Sequence, residues 1–283
     1  MEKYSDIIFD HLSESSKFKE NGESLVLNGK YKFKKETFNI SNKKLSQRFH
    51  KPIGKYTLLT FPHILSCNDD QYRYYLKQMT TTLKEYLSPL KQEYTILVVG
   101  IGNRHISSDS LGVEVVKNVV VTRNISEKRP KVCAFTPSVL GLTGIETADT
   151  IDGISAKIRP NIIIMIDSLC ASDVNRLGVS FQINNTPIIP GSGINNTRKK
   201  ISSNIKTISI GVPLVVYANT FIKSAINGLK IDIDSINDNK LKSKLYQLFN
   251  NQFNELVTLN EIEYAVKQVG LFIATAINNA LGL

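Results

Sequence analysis

The sequence contains no tryptophan, three cysteines, three methionines and four histidines in 283 residues. Cys67, Cys133 and Cys170 stand far apart. They supply neither a disulfide framework nor the paired Cys/His spacing of a zinc site. No histidine follows Gly191-Ser192-Gly193, and the run lacks Gly-x-Ser-x-Gly spacing, so Ser192 is a weak nucleophile candidate. No apolar run reaches the roughly 18 residues of a spanning helix. The polar start, Met1 to Asp6, lacks the apolar stretch of a signal peptide. A cytoplasmic protein with no membrane segment is expected. A phosphate or dinucleotide loop is missing as well. Gly100-Ile101-Gly102 has no third glycine and no Gly-Lys-Ser/Thr after it, so no cofactor is expected.

Acids are outnumbered, 25 to 35, and the formal net charge is +10. Much of the excess lies in Gly29–Lys55, where Lys30, Lys32, Lys34, Lys35, Lys43, Lys44, Arg48, Lys51 and Lys55 face one acid, Glu36. Such a segment can attract nucleic acid or an acidic protein. It can equally be a solvated, strand-rich surface. The second reading is favoured, because no nucleic-acid motif accompanies the lysines.

The apolar pattern is that of an α/β protein. Residues 1–24 are polar with a few apolar positions. Residues 25–92 read as an N-terminal β/α extension: Leu25-Val26-Leu27, a turn at Asn28-Gly29, an amphipathic strand at Tyr31 to Phe33, a strand at Tyr56 to Phe61, and a helix over 70–87. Residues 93–283 read as an α/β domain. Strand 96–99 leads to a helix over 111–121. A helix ends near Lys157. Asn161 to Ile166 is a continuous apolar run that ends at Asp167. Further strands fall at Leu177 to Ile183 and Thr207 to Val216. A polar, Asn-rich connection covers 229–260, and a final helix spans 260–281 with Asn260 as its cap. Strands alternating with helices imply a three-layer fold with a largely parallel central sheet and helices on both faces.

Two of these strands deliver aspartates: Asp109 in the loop after Val99, and Asp167 after Ile166. Chemistry in open α/β sheets gathers at the carboxyl ends of strands. If the two strands are neighbours, the carboxylates meet. Two carboxylates at close range share a proton, which suits general acid–base work. The same pair could instead hold a divalent cation, or each acid could simply cap a turn. Glu146 and Asp149 lie in Thr143 to Asp149, where capping the following helix is their ordinary role.

Longer runs resemble the germination protease family of endospore-forming bacteria. They are Leu97-Val98-Val99-Gly100-Ile101-Gly102-Asn103, Asp109-Ser110-Leu111-Gly112, Thr122-Arg123, Gly141-Leu142-Thr143-Gly144-Ile145-Glu146-Thr147, Pro160 to Leu169, Pro190-Gly191-Ser192-Gly193, Arg198-Lys199 and Ile210-Gly211-Val212-Pro213. The likeness is good over about 95 to 220, weak through the C-terminal helix, and loose before residue 90. It implies an endopeptidase of atypical aspartic type that degrades small acid-soluble spore proteins during germination. It implies a fold similar to the hydrogenase-maturation proteases, with Asp109 and Asp167 as the functional pair. Asn103, Glu146, Asp149 and Ser192 would line the cleft. It further implies a zymogen with an N-terminal propeptide, for which Tyr4 to Asp10 is a loose counterpart, a homotetramer, and a place in the forespore or spore core. The chain departs from the family pattern at Val113 (usually Pro), Ile189 (usually His) and Tyr217 (usually Asp).

Overall fold

The computed structural model describes residues 5–12, 24–125, 130–188, 205–228, 238–250 and 255–283. In chain order these form α1 (Ile8–Leu12), β1 (Ser24–Asn28), β2 (Lys34–Ile40), α2 (Lys43–Phe49), β3 (Gly54–Thr60), α3 (Asp69–Leu87), β4 (Thr95–Gly100) and α4 (Leu111–Asn118). They continue as β5 (Lys131–Phe135), α5 (Leu140–Thr143), α6 (Thr147–Ile158), β6 (Ile162–Ala171), β7 (Ser180–Asn184), β8 (Lys206–Tyr217), α7 (Ala218–Gly228), α8 (Asn239–Asn250), β9 (Leu256–Thr258) and α9 (Ile262–Leu281).

All the described strands belong to one sheet, in the order β1-β2-β3-β7-β8-β6-β4-β5, with β9 against β8. The half built from β8, β6, β4 and β5 is parallel. The half built from β1, β2, β3 and β7 is antiparallel and joins the parallel half where β7 meets β8. The N-terminal strands therefore extend the central sheet directly, through β3 against β7.

Side-chain parity divides the core. Ile96 and Val98 of β4, with Ile162, Ile164 and Ile166 of β6, face α3, α4 and α9. Leu97, Val99, Ile163 and Met165 face α6 through Ala148 and Ile151. Both faces of these strands are apolar because both are covered. A third cluster joins β2, β3 and the ends of β6 and β8 to α2 and to Ile7, Ile8 and Phe9. The polar first 24 residues, which could form one short helix or remain loose, thus supply a short helix and three core side chains, Ile7, Ile8 and Phe9.

Several boundaries differ from expectation. Residues 30–32 form a turn with Tyr31 and Lys32 at positive φ, and strand pairing starts at Lys34. The tyrosine-rich face of α3 explains this, since Tyr31 packs edge-on to Tyr74 and Tyr75. Helix α2 went unread among the lysines. Helix α4 stops at Asn118, before the β-branched run Val119 to Val121. The final helix takes Glu261 as its cap residue, not Asn260. The connection over 229–260 contains α8 and β9. No described helix is long and apolar enough to cross a membrane.

Glycines fix the loop after β4. Gly102 has φ +130, and a Cβ there would collide with the Asp109 carbonyl oxygen. A Cβ on Gly112 would strike the main chain of Ile101, whereas one on Gly153 in α6 would meet nothing within 4 Å. Gly112→Ala is expected to lower stability by about 3 kcal/mol, the upper range for single substitutions. Gly153→Ala should raise it by about 0.5–1 kcal/mol. Urea unfolding of the two variants checks both signs.

Candidate active site

β4 and β6 are neighbours and run parallel, with Gly100 opposite Ile166. Their carboxyl ends therefore open at the same edge. Beyond Gly100, the Ile101 N–H donates to the Ile166 carbonyl at 2.8 Å, which keeps the loop against β6. The chain then turns at Gly102 and returns through a short 3-10 turn, Ser107–Asp109. The Asn103 N–H closes this loop by donating to both the main-chain oxygen of Asp109, at 3.0 Å, and its Oδ2, at 2.9 Å. Helix α4 starts two residues after Asp109. Its N-terminal end favours negative charge nearby.

Asp167 does not end its strand as the apolar run suggested. β8 continues to pair past it, through Ala171, with a register shift between Leu169 and Cys170. Asp167 thus lies inside the sheet, opposite Gly211 and only 6% exposed. Its Oδ1 accepts the Ser168 N–H at 2.9 Å. Burial, followed by the carboxylates of Asp109 and Asp6, holds its carboxyl well above the ordinary range, and the Ser168 N–H opposes this. The structure therefore brings the two aspartates into electrostatic contact. It also adds Asp6, which sequence reasoning missed. Asp6 and Asp167 are remote in sequence, and no spacing rule connects them.

The remaining candidates are less central. Asn103 shapes the Asp109 loop through its N–H, and its Oδ1 accepts the His105 N–H at 2.9 Å. Glu146 is the cap residue of α6 but makes no side-chain cap bond. Asp149 lies exposed in the first turn of that helix. Ser192 and Ile189 lie outside the described residues. Tyr217 ends β8 opposite Leu256, and Val113 is half-buried in α4. The Cys170 thiol is pushed up to about 12, chiefly by burial and then by Asp6 and Asp10, so it stays protonated and inert.

Among the described residues, no group of three or more His, Cys, Asp or Glu side chains could hold a metal ion. In the basic segment, Lys34 pairs with Glu36 at 2.9 Å, while Lys35 and Lys55 approach Glu85 at 2.9 and 3.8 Å. Part of that charge is locally neutralised, as in an ordinary solvated sheet surface.

Residues 10–248 match the family described as germination protease. This chain belongs to the germination protease family. A germination protease of Caldanaerobacter subterraneus is 34% identical over 286 residues, covering 92% of this chain and 88% of the relative. One from Clostridium tetani is 33% identical, covering 86% and 83%. Among solved structures, a [NiFe] hydrogenase maturation protease of Thermococcus kodakarensis aligns with TM-score 0.33 and 16% identity, over 60% of this chain and 99% of that one.

The raised proton affinity of Asp167 carries a stability cost whose sign is fixed. A carboxyl that stays protonated longer in the folded state stabilises the fold at low pH. That contribution fades as pH rises from the ordinary value of about 3.9 through the higher folded value. Asp167→Asn removes the ionisation. It should melt above the wild type at neutral pH, with the gap closing as pH falls towards about 4. Calorimetric melting temperatures across this range measure it.

Proposed function

We propose that this peptidase-family chain is an endopeptidase that cleaves small acid-soluble spore proteins during germination, with Asp109 and Asp167 activating water. One observation carries the reading: Asp109, in the loop after β4, acts on Asp167 of the neighbouring parallel strand β6, and the surroundings of the two acids are unequal. Asp167 is buried, beside like charge and with its proton affinity raised. Asp109 flanks a helix N-terminus and accepts an N–H at Oδ2. Environments that differ in this way divide acid and base roles between two carboxyl groups.

In the proposed reaction, ionised Asp109 takes a proton from water as the hydroxide adds to the peptide carbonyl. Protonated Asp167 donates to the developing oxyanion. Collapse of the tetrahedral species breaks the C–N bond. The proton held on Asp109 passes to the leaving amine, and the diol returns a proton to Asp167. The pair ends as it began, with one shared proton.

The family likeness also supports an N-terminal propeptide and a homotetramer acting in the spore core. The core position of Ile7, Ile8 and Phe9 narrows the propeptide reading. A cut that removed the whole of residues 1–24 would strip three buried apolar side chains from the fold.

Asp109→Asn and Asp167→Asn should each reduce cleavage of a purified small acid-soluble spore protein by about 10²–10⁴-fold, the range for losing a positioned acid or base. Both variants should melt cooperatively, and a chelator should leave the wild-type rate unchanged. Mass spectrometry of the substrate reads the outcome, and full activity in either variant overturns the proposal.

A further inference from the structure

The sheet ends at β5, which among the described residues pairs with β4 alone. Along such a strand the main-chain groups of successive residues point to opposite sides. Lys131 points inward, its N–H donating to the Tyr94 carbonyl at 2.8 Å. Val132 points outward. Its N–H donates to Thr122 Oγ1 at 3.0 Å, and its carbonyl accepts the Thr122 and Arg123 N–H groups at 3.1 and 3.2 Å. The chain that follows α4 thus closes the first outward position of β5. The next is Ala134. Its side chain packs against the core, and among the described residues its outward N–H and carbonyl meet no partner strand.

Open edges are commonly guarded by charge. Here no charged residue lies between Lys131 and Glu146. The strand leads through α5 to a left-handed Gly144. This loop is braced. The Thr143 hydroxyl donates to the Val139 carbonyl at 3.1 Å and accepts the Ile145 N–H at 3.2 Å, and Thr147 Oγ1 donates to the Ser138 carbonyl at 3.2 Å. The braced loop nevertheless holds out two large apolar side chains, Leu142 and Ile145, at 51% and 55% exposure. β4 and β5 are parallel neighbours, so this loop and the one that carries Asp109 leave the same edge of the sheet. Exposed apolar side chains on a fixed loop at that edge mark a contact surface.

We propose that the outer edge of β5 at Ala134, together with Leu142 and Ile145, is the docking site for an extended stretch of the protein substrate, which adds to the sheet as one more strand. The proposal deepens the catalytic reading above and rests on it for the identity of the occupant. Chemistry favours that occupant. The open N–H and carbonyl of one residue are matched by the main chain of another polypeptide, and uncharged surroundings offer nothing to a polyanion. Position favours it too. At about 4.8 Å per strand, a chain added outside β5 lies about 10 Å from β4 and about 14 Å from β6. An extended chain covers that distance in about three to four residues, at about 3.3 Å each. The docked stretch therefore sits about four residues from the bond that is cut, and its apolar side chains meet Leu142 and Ile145.

Two synthetic peptides from a small acid-soluble spore protein test this on the full chain. They carry the same cleaved bond, with about two and about eight residues on each side of it, so that only the longer one reaches β5. The longer should have a kcat/KM about tenfold above the shorter. Ala134→Pro deletes the outward N–H and leaves the ladder to β4 intact, since proline is tolerated on an edge strand. It should erase most of the advantage of length. Leu142→Ser combined with Ile145→Ser should do the same, and the fold does not need those exposed side chains. Binding of the fluorescently labelled longer peptide to Asp167→Asn, with and without these changes, reads docking apart from chemistry, and its Kd should rise about tenfold. Equal kcat/KM for the two peptides in the wild type, or an advantage of length that survives both sets of substitutions, overturns the proposal. So does a variant that lowers the sedimenting mass and keeps that advantage, because the edge then holds a second copy of this chain. Length-dependent binding lost in the variants of a protein that cuts neither peptide supports the docking site and overturns the catalytic reading instead.

Discussion

Keeping the carboxyl group of Asp167 inside a nearly continuous apolar sheet is the constraint on which the rest of this structure depends. A carboxylate in such a place is costly unless it is paired or neutralised. Here no described cation reaches it, and the carboxyl answers by holding its proton more tightly. Three features make the position tenable. Gly211 faces it without a side chain, the Ser168 N–H bonds it, and β6 continues to pair with β8 past it. The parallel half of the sheet supplies the depth. The tight glycine loop after β4 supplies the partner acid at the same edge.

The readable part of this arrangement was local. Continuous apolar runs at 96–99 and 162–166 marked doubly covered strands, and the acids following them marked the edge where chemistry gathers. Parity within a strand carries this information because both faces of each run are apolar. Two aspartates could therefore be chosen from the sequence alone. Family-like motifs selected the same pair, and the match over residues 10–248 shows the family.

The unread part was long-range. Nothing in Leu177 to Ile183 shows that its strand runs antiparallel to β8, since orientation depends on the route of the connections. Nothing in Ser5 to Asp10 marks it as core, because α1 is too short to show a period and its partners come from β2, β3, β6 and β8. Lysine-rich α2 was hidden for a related reason. Leu45 and Phe49 bury one side, and charge covers the other. Gln182 holds the main chain of Asp6 and Ile8 from more than 170 positions away, a contact that no spacing in the sequence shows.

The position of α9 has a consequence for how the chain is made. This helix lies against both α3 and α4, and Phe272 reaches the aromatic group of Phe61 and Phe181. β3, near the start, must likewise wait for β7, at 180–184, before its outer edge is paired. Closing such distant contacts has a large loop entropy, and folds dominated by them form slowly. A nascent chain emerging from the ribosome thus carries β1 to β3 as an isolated antiparallel ribbon with an open edge. It carries the apolar face of β4 and β6 without the helix that will cover it. Until residues 262–281 are synthesised, those surfaces are the ones a chaperone would bind and a second nascent chain would mispair with.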